Sequence, residues 1–178
     1  KEDILAASRD LIKENGWAAV SIRAVASRCS VSAGTIYNYY ESKADLLSDT
    51  IESIWHEIFF HPEDEQAFHD VESCISWIYE RLEYGNRQFP GFFSLHSFGF
   101  MRDEKTSGKK RMMKTWGHIL NGLCEVLGND PKVRADVFDQ EFTEKKFADI
   151  LFSLILVSMI RQDYDPSSVL MLVKKTLY

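Results

Sequence analysis

A chain of 178 residues with 45% apolar and 13% aromatic side chains can bury a substantial core, which excludes a disordered protein. Its longest uncharged stretches, residues 89–101 and 150–160, are shorter than the roughly 20 apolar residues of a membrane span, and no basic-then-apolar leader is recognisable. The three cysteines fit neither a disulfide framework nor metal-ligand spacing, so we expect a reducing, cytoplasmic location: Cys29, Cys74 and Cys124.

The net charge of −6 is unevenly distributed along the chain. Residues 1–47 contain six basic and six acidic side chains, whereas residues 48–178 contain 15 basic and 21 acidic ones. Phosphate binding depends on a few well-placed cations and helix N-termini more than on the overall charge. The neutral N-terminal part therefore remains a candidate for nucleic-acid binding.

Helical periodicity begins at the N-terminus. Apolar side chains recur every three to four residues from Ile4 to Ile12, and Asn15-Gly16 supplies a stop for this first helix. Three further helices follow, each expected to begin after a serine N-cap: Ser21, Ser32 and Ser42.

The second and third helices are short and close together. They are predicted at about residues 22–28 and 32–39, with only Cys29-Ser30-Val31 between them. This spacing is typical of a helix-turn-helix, whose second helix enters the major groove of DNA.

The rest of the chain is predicted to be helical as well. A fifth helix from about Phe68 ends near Tyr84-Gly85-Asn86, and an aromatic segment broken by glycines follows at residues 90–101. Later helices are predicted at about residues 112–127, 141–161 and 166–177. The sequence therefore predicts an all-α fold of about nine helices, with a helix-turn-helix domain at residues 1–47 and a helical body at residues 48–178.

Three consecutive segments carry a resemblance to a known family: Ser21-Ile-Arg-Ala-Val-Ala26, Val31-Ser-Ala-Gly-Thr-Ile-Tyr-Asn-Tyr-Tyr40 and Ser42-Lys-Ala-Asp-Leu-Leu47. Together they resemble the N-terminal signature of the tetracycline-repressor (TetR) family of transcriptional regulators. The resemblance covers roughly the first 47 residues. It implies a dimeric DNA-binding regulator, not an enzyme, whose body holds a small-molecule cavity and a dimer interface.

The resemblance also implies which residues meet DNA. Positions that commonly contact DNA in the family are occupied here by Ser21, Arg23, Ser32, Thr35, Tyr37, Tyr39 and Lys43. Ala33 and Asn38 occupy variable positions that tune the sequence that is read. Arg23 is the best candidate for a guanine contact, because a guanidinium can bond O6 and N7 together, and Lys43 can bind a phosphate.

Two features qualify this interpretation. The family usually has glycine where Ser30 stands, and serine in a left-handed turn costs on the order of 1 kcal/mol. Tyr37, Tyr39 and Tyr40 could instead be core aromatics with their hydroxyls at the surface, and this interpretation is favoured only for Tyr40.

The body contains many aromatic side chains, which suit an apolar pocket between helices, although ordinary core packing explains any single one of them. The candidate ligand-binding residues are Trp55, Phe59, Trp77, Phe92, Phe93, Phe98, Met101, Trp116 and His118. We expect the effector to be a small apolar or aromatic molecule that releases the protein from a palindromic operator. Repression is the expected outcome, with activation as the alternative.

A homodimer is expected through residues 147–160 and 166–177. The first of these segments is apolar on nearly every face, so that one face can pack inward and another against a symmetry mate.

Other functions have weaker support. The histidines at His56, His61 and His69 lie among carboxylates, but no Glu-x-x-His spacing occurs, so we expect no metal and no cofactor. The basic stretch at residues 105–114 could touch DNA flanks or form a solvated loop. The sequence contains no phosphate-binding Gly-x-Gly loop and no Gly-x-Ser-x-Gly elbow. The alternatives are a helical small-molecule carrier without specific DNA binding and a non-specific architectural DNA protein, which the acidic body disfavours.

Overall fold

The computed structural model describes the backbone of residues 1–60, 67–93 and 107–178, and the side chains of these residues except 107–115. These ranges contain eight α-helices and a short 3-10 helix at Trp17–Ala19, and no strand. The α-helices are α1 (Glu2–Asn15), α2 (Ile22–Arg28), α3 (Ala33–Tyr37), α4 (Lys43–Phe59), α5 (Val71–Gln88), α6 (Ser107–Asn129), α7 (Glu144–Arg161) and α8 (Ser167–Leu177). The predicted all-α class is confirmed, with a helix number close to the expected nine.

The chain divides into two units. The first unit comprises residues 1–60 and 85–92, and the second comprises residues 61–84 and 93–178. The domain boundary predicted after residue 47 lies inside α4, which runs without a break from Lys43 to Phe59. The functional division at that position remains a prediction.

The first unit is organised around the apolar faces of α1 to α4. Ile12, Val20, Val25, Ile36 and Leu46 are each at most 1% exposed. The three predicted serine N-caps are confirmed, since each Oγ accepts a backbone N–H three residues later at 3.1 to 3.2 Å: Ser21 from Ala24, Ser32 from Thr35 and Ser42 from Asp45. These caps set where the helices begin, and the buried positions set which faces turn outward.

Several helix limits differ from those predicted. Helix α3 covers residues 33–37 rather than 32–39, α5 begins at residue 71 rather than about 68, and α7 begins at residue 144 rather than 141. Helix α5 does not stop at residues 84–86 but continues to Gln88, and the Phe89 N–H donates to the Gly85 carbonyl at 2.9 Å. Phe89 is fully buried, so packing outweighs the low helix propensity of Gly85. Helix α6 is also longer than expected and covers residues 107–129 rather than 112–127.

In the second unit, α7 has two apolar faces. One face is buried and carries Phe147, Leu151, Ile155 and Met159, each at most 2% exposed. The other face is in solvent, and its largest apolar side chains are Ile150, Val157 and Ile160, at 44%, 45% and 37% exposure.

A buried carboxylate ties three segments of the second unit together. Asp130, which is 6% exposed, accepts hydrogen bonds from the Val71 N–H at 3.0 Å, the Lys132 N–H at 2.9 Å and the Tyr178 hydroxyl at 2.5 Å. It thereby joins the first residue of α5 to the segment after α6 and to the residue after α8.

None of the described helices is long and apolar enough to cross a bilayer.

Candidate nucleic-acid interface

The turn between α2 and α3 has a defined hydrogen-bond pattern. The Ser30 N–H donates to the Ser27 carbonyl at 3.1 Å, and the Val31 N–H donates to the Ala26 carbonyl at 2.9 Å. These two bonds form a Schellman motif, which requires a left-handed residue after the helix. Ser30 occupies that position with φ 56°, so the turn has a left-handed residue although serine replaces the glycine that is usual in the family. For a serine this conformation costs on the order of 1 kcal/mol of free energy.

Helix α3 presents one face to the core and another to solvent. Ile36 is fully buried and Tyr40, beyond the end of the helix, is 3% exposed. The core position predicted for Tyr40 is confirmed, but its hydroxyl is buried rather than at the surface. Tyr37 and Tyr39, in contrast, are 56% and 53% exposed. Large aromatic side chains at this exposure are available for an external partner.

The hydroxyls of Ser32 and Thr35 take part in the N-terminal cap of α3. The Ser32 Oγ and the Thr35 Oγ1 lie 3.0 Å apart and share a hydrogen bond, in addition to the N-cap bond that Ser32 accepts. Both side chains are therefore engaged in hydrogen bonds within the chain.

Ion pairs separate the six cations of residues 1–47 into two groups. Four of them are paired with carboxylates: Lys1 with Asp49, Arg9 with Glu2 and Glu57, Lys13 with Glu57, and Arg28 with Glu14. The other two, Arg23 and Lys43, are exposed and form no ion pair with any residue that the structure describes.

The Arg28 pair is the tightest of the four. Both of its terminal nitrogens bind the two carboxylate oxygens of Glu14, one of them at 2.9 Å. The hydrogen bond from Arg28 lowers the pKa of the Glu14 carboxyl, and the same bond raises the pKa of the Arg28 guanidinium. Both groups therefore stay charged near neutral pH, and the bidentate pair keeps Arg28 engaged within the unit.

All nine predicted DNA-contacting residues lie in the first unit, between α2 and the first turn of α4. Six are exposed: Arg23, Ser32, Tyr37, Asn38, Tyr39 and Lys43. The other three are half-buried: Ser21, Ala33 and Thr35. Gly34 is not among the predicted contact residues, although the sequence places it on the small, polar face of this helix, where small residues let the backbone approach base edges; it is exposed within α3.

The predicted ligand-binding residues are divided between the two units. Trp55, Phe59 and Phe92 lie in the first unit, where the Phe92 ring is 5.7 Å from Trp17 and 5.3 Å from Trp55 between centroids. Phe92 is fully buried and Trp55 is 8% exposed. These side chains help to form the core of the first unit.

The second unit contains Trp77, Phe93, Trp116 and His118. The Trp116 ring on α6 meets Phe152 on α7 edge-on at 5.8 Å, and His118 is exposed. The Trp116 Nε1 is buried without a hydrogen-bond partner among the described residues. Phe98, Met101 and the side chains of the basic stretch at residues 105–114 lie outside the described part of the chain.

The described residues offer no group of three side chains suited to hold a metal ion. His61, one of the three histidines considered for a metal site, lies outside them. The open groove between α1 and α4, of about 480 Å³, is lined mainly by charged side chains such as Glu2, Arg9 and Glu52, so it does not suit an apolar effector.

Comparison with known proteins finds matches over the N-terminal segment that carries these residues. Residues 4–50 match the family described as bacterial regulatory proteins, tetR family. The chain is 38% identical over 48 residues to the HTH-type transcriptional regulator UidR of Escherichia coli K12, covering 27% of this chain and 24% of UidR. It is 45% identical over 47 residues to the HTH-type transcriptional repressor KstR of Rhodococcus jostii, covering 26% and 22%. The chain thus spans about a quarter of the length of these relatives.

Solved structures resemble the whole chain. The transcriptional regulator FadR of Bacillus subtilis, in complex with stearoyl-CoA, superposes with a TM-score of 0.66 at 17% identity and covers 99% of both chains. A TetR transcription regulator from Haloarcula marismortui gives a TM-score of 0.64 at 18% identity, covering 99% of this chain and 95% of the regulator. At these identities the likeness concerns the fold.

Proposed function

We propose that this chain, whose residues 4–50 belong to the tetR family of bacterial regulatory proteins, is a homodimeric transcriptional repressor that binds a palindromic operator and is released from it by a small molecule. The DNA-binding part of the proposal rests on the first unit. The dimer and the effector rest on the second unit.

The unpaired state of Arg23 and Lys43 carries the proposal. A protein surface that binds phosphates needs cations that are not neutralised by its own carboxylates. In residues 1–47 the cations paired with carboxylates are Lys1, Arg9, Lys13 and Arg28. The two cations that form no ion pair with a described residue stand at two of the positions that commonly contact DNA in the family. The neutral charge of this part of the chain therefore does not prevent binding.

The remaining residues of the interface have distinct roles in the proposal. Arg23 reads a guanine, and Lys43, at the first position of α4, binds a phosphate. The exposed hydroxyls of Tyr37 and Tyr39 donate to phosphate oxygens, while Asn38 contributes to the choice of sequence.

The experiment that tests the proposed function is selection of duplex DNA from a random pool by the full chain. We expect enrichment of a two-fold symmetric sequence whose half-sites are about one helical turn apart, or a small multiple of it. Enrichment of no sequence, with retention of all duplexes alike, would favour a non-specific DNA protein. No retention even at low salt would favour a helical small-molecule carrier.

Exposed apolar side chains support the dimer. Besides the outer face of α7, Met171 and Leu172 on α8 are 58% and 37% exposed. Apolar side chains in contact with water do not stabilise a monomer. Two copies related by a two-fold axis can bury them in a four-helix interface. The second copy of this chain is therefore the proposed occupant.

Aromatic side chains in the second unit support an apolar effector. The buried Trp116 Nε1 adds a hydrogen-bond donor without a partner among the described residues, and an acceptor group on a ligand can satisfy it. The fold of the chain is shared with a regulator solved in complex with stearoyl-CoA, which makes long-chain acyl compounds a reasonable first probe.

Thermal shift with a panel of hydrophobic aromatic compounds and stearoyl-CoA tests the effector. A true effector should raise Tm and weaken operator binding, because it must bind the DNA-free state more tightly than the DNA-bound state. Trp116→Ala should reduce the shift without changing operator affinity in the absence of ligand. Ligands that stabilise the protein and leave DNA affinity unchanged would contradict release by an effector.

A further inference from the structure

Gly34 is an exposed residue on the outer face of α3. Successive residues of a helix are about 100° apart, so Gly34 lies roughly opposite Ile36, the buried residue of this helix. Tyr37 and Asn38 lie on the same side as Gly34 and are also exposed. Gly34 therefore stands among the side chains assigned to the DNA interface.

Nothing in the described part of the chain requires glycine at this position. The positive-φ glycines there are Gly16 and Gly91, so the backbone of Gly34 is one that any residue can adopt. A Cβ built on Gly34 would have its nearest neighbour, the Ser32 Oγ, at 3.5 Å, which is an ordinary contact. An alanine would thus fit without displacing any neighbour.

Glycine at such a position has a cost. It loses more backbone freedom on folding than alanine does, and it is among the poorest helix formers. Helix α3 has only five residues and little propensity to spare. Gly34 weakens the helix and the fold does not need it, so we infer that a binding partner of the chain requires a residue without a side chain at this position.

We propose that Gly34 is the point of closest backbone approach between α3 and the DNA, and that the missing side chain sets how deeply this helix enters the major groove. The inference rests on the proposed function. A Cβ at this position would hold the helix away from the base edges. Arg23 and Asn38 would then lie too far from the bases to form hydrogen bonds with them. Gly34 is in this sense a positioning residue.

The test compares Gly34→Ala with the wild-type chain on the duplex selected from the random pool. We expect opposite effects on two measurements: Tm rises by about 1 to 3 °C, as for a glycine replaced in a compatible conformation, while Kd for the duplex rises at least about tenfold. Gly34→Val should weaken binding more than Gly34→Ala, because its side chain is larger.

Gly128→Ala is the matched control. Gly128 is exposed in α6, and a Cβ there would have no neighbour within 4 Å. This variant should raise Tm in the same way and leave the Kd for the duplex unchanged.

The outcomes separate the inference from the proposed function. If the wild-type chain binds no duplex, the proposed function fails and the inference with it. If the wild type binds and Gly34→Ala binds equally well, only the inference is overturned. A lower Tm for Gly34→Ala would also overturn it, since the glycine would then be needed by the fold.

Discussion

Val157→Glu should convert the proposed dimer into monomers and lower affinity for the proposed operator by at least ~100-fold, because the two half-sites would no longer be bound by one linked pair of domains. Val157 lies on the exposed face of α7, between Ile150 and Ile160, and 45% of its surface is accessible in the single chain. In a two-fold symmetric dimer each protomer contributes the same residue to the interface. One substitution therefore buries two carboxylates among apolar side chains. Such charges have no partner to offset their desolvation.

Sedimentation at micromolar concentration measures the first effect, and titration of the selected duplex measures the second. Because Val157 is exposed in the single chain, the glutamate should leave the helical content and Tm of the monomer nearly unchanged. Val157→Ile, which keeps the surface apolar, should remain dimeric and bind DNA normally. A dimeric Val157→Glu with wild-type affinity would show that α7 does not form the interface.

The parts of this fold that were predictable from the sequence depend on local interactions. The caps at Ser21, Ser32 and Ser42 involve residues only three positions apart, and each was recognisable from the sequence. The left-handed conformation of Ser30 is local as well, since the two hydrogen bonds of its turn connect residues within six positions. The helix-turn-helix was predictable for the same reason.

The features that were not predictable depend on contacts between distant segments. Helix α5 passes Gly85 because Phe89 is buried in the first unit, and the propensity of the local sequence does not contain that information. Phe92 joins Trp17 and Trp55, from three separate parts of the chain, so the aromatic side chains attributed to one pocket include core residues of the first unit.

The same limit applies to the charges of the candidate site. Lys13 binds Glu57 at 2.7 Å across 44 positions of sequence, and a count of charges cannot show that this lysine is neutralised. The resemblance places Arg23 and not Arg28 at a DNA-contacting position, and the structure adds that Arg28 is paired with Glu14. The structure adds that, among the described residues, the four other cations of residues 1–47 are paired with carboxylates and the two predicted DNA-binding cations are not.

Arg23→Ala should have a large effect on operator binding. Loss of a bidentate contact to guanine costs about 1 to 3 kcal/mol, and the preference at one base position of each half-site should be lost as well. Base-by-base substitution of the selected duplex, compared between wild type and variant, measures this change. An equal loss on every sequence would instead identify Arg23 as a phosphate contact.

The most direct test of the account compares salt dependence for three alanine variants on one duplex. Lys43→Ala should flatten the plot of log K against log [salt] by about one unit per protomer, because one phosphate contact is removed. Arg23→Ala should bind the selected duplex more weakly than wild type, and Arg28→Ala should bind it normally, since Arg28 is engaged by Glu14. Equal losses in all three variants, or an unchanged slope for Lys43→Ala, would contradict the claim that the unpaired cations form the DNA interface.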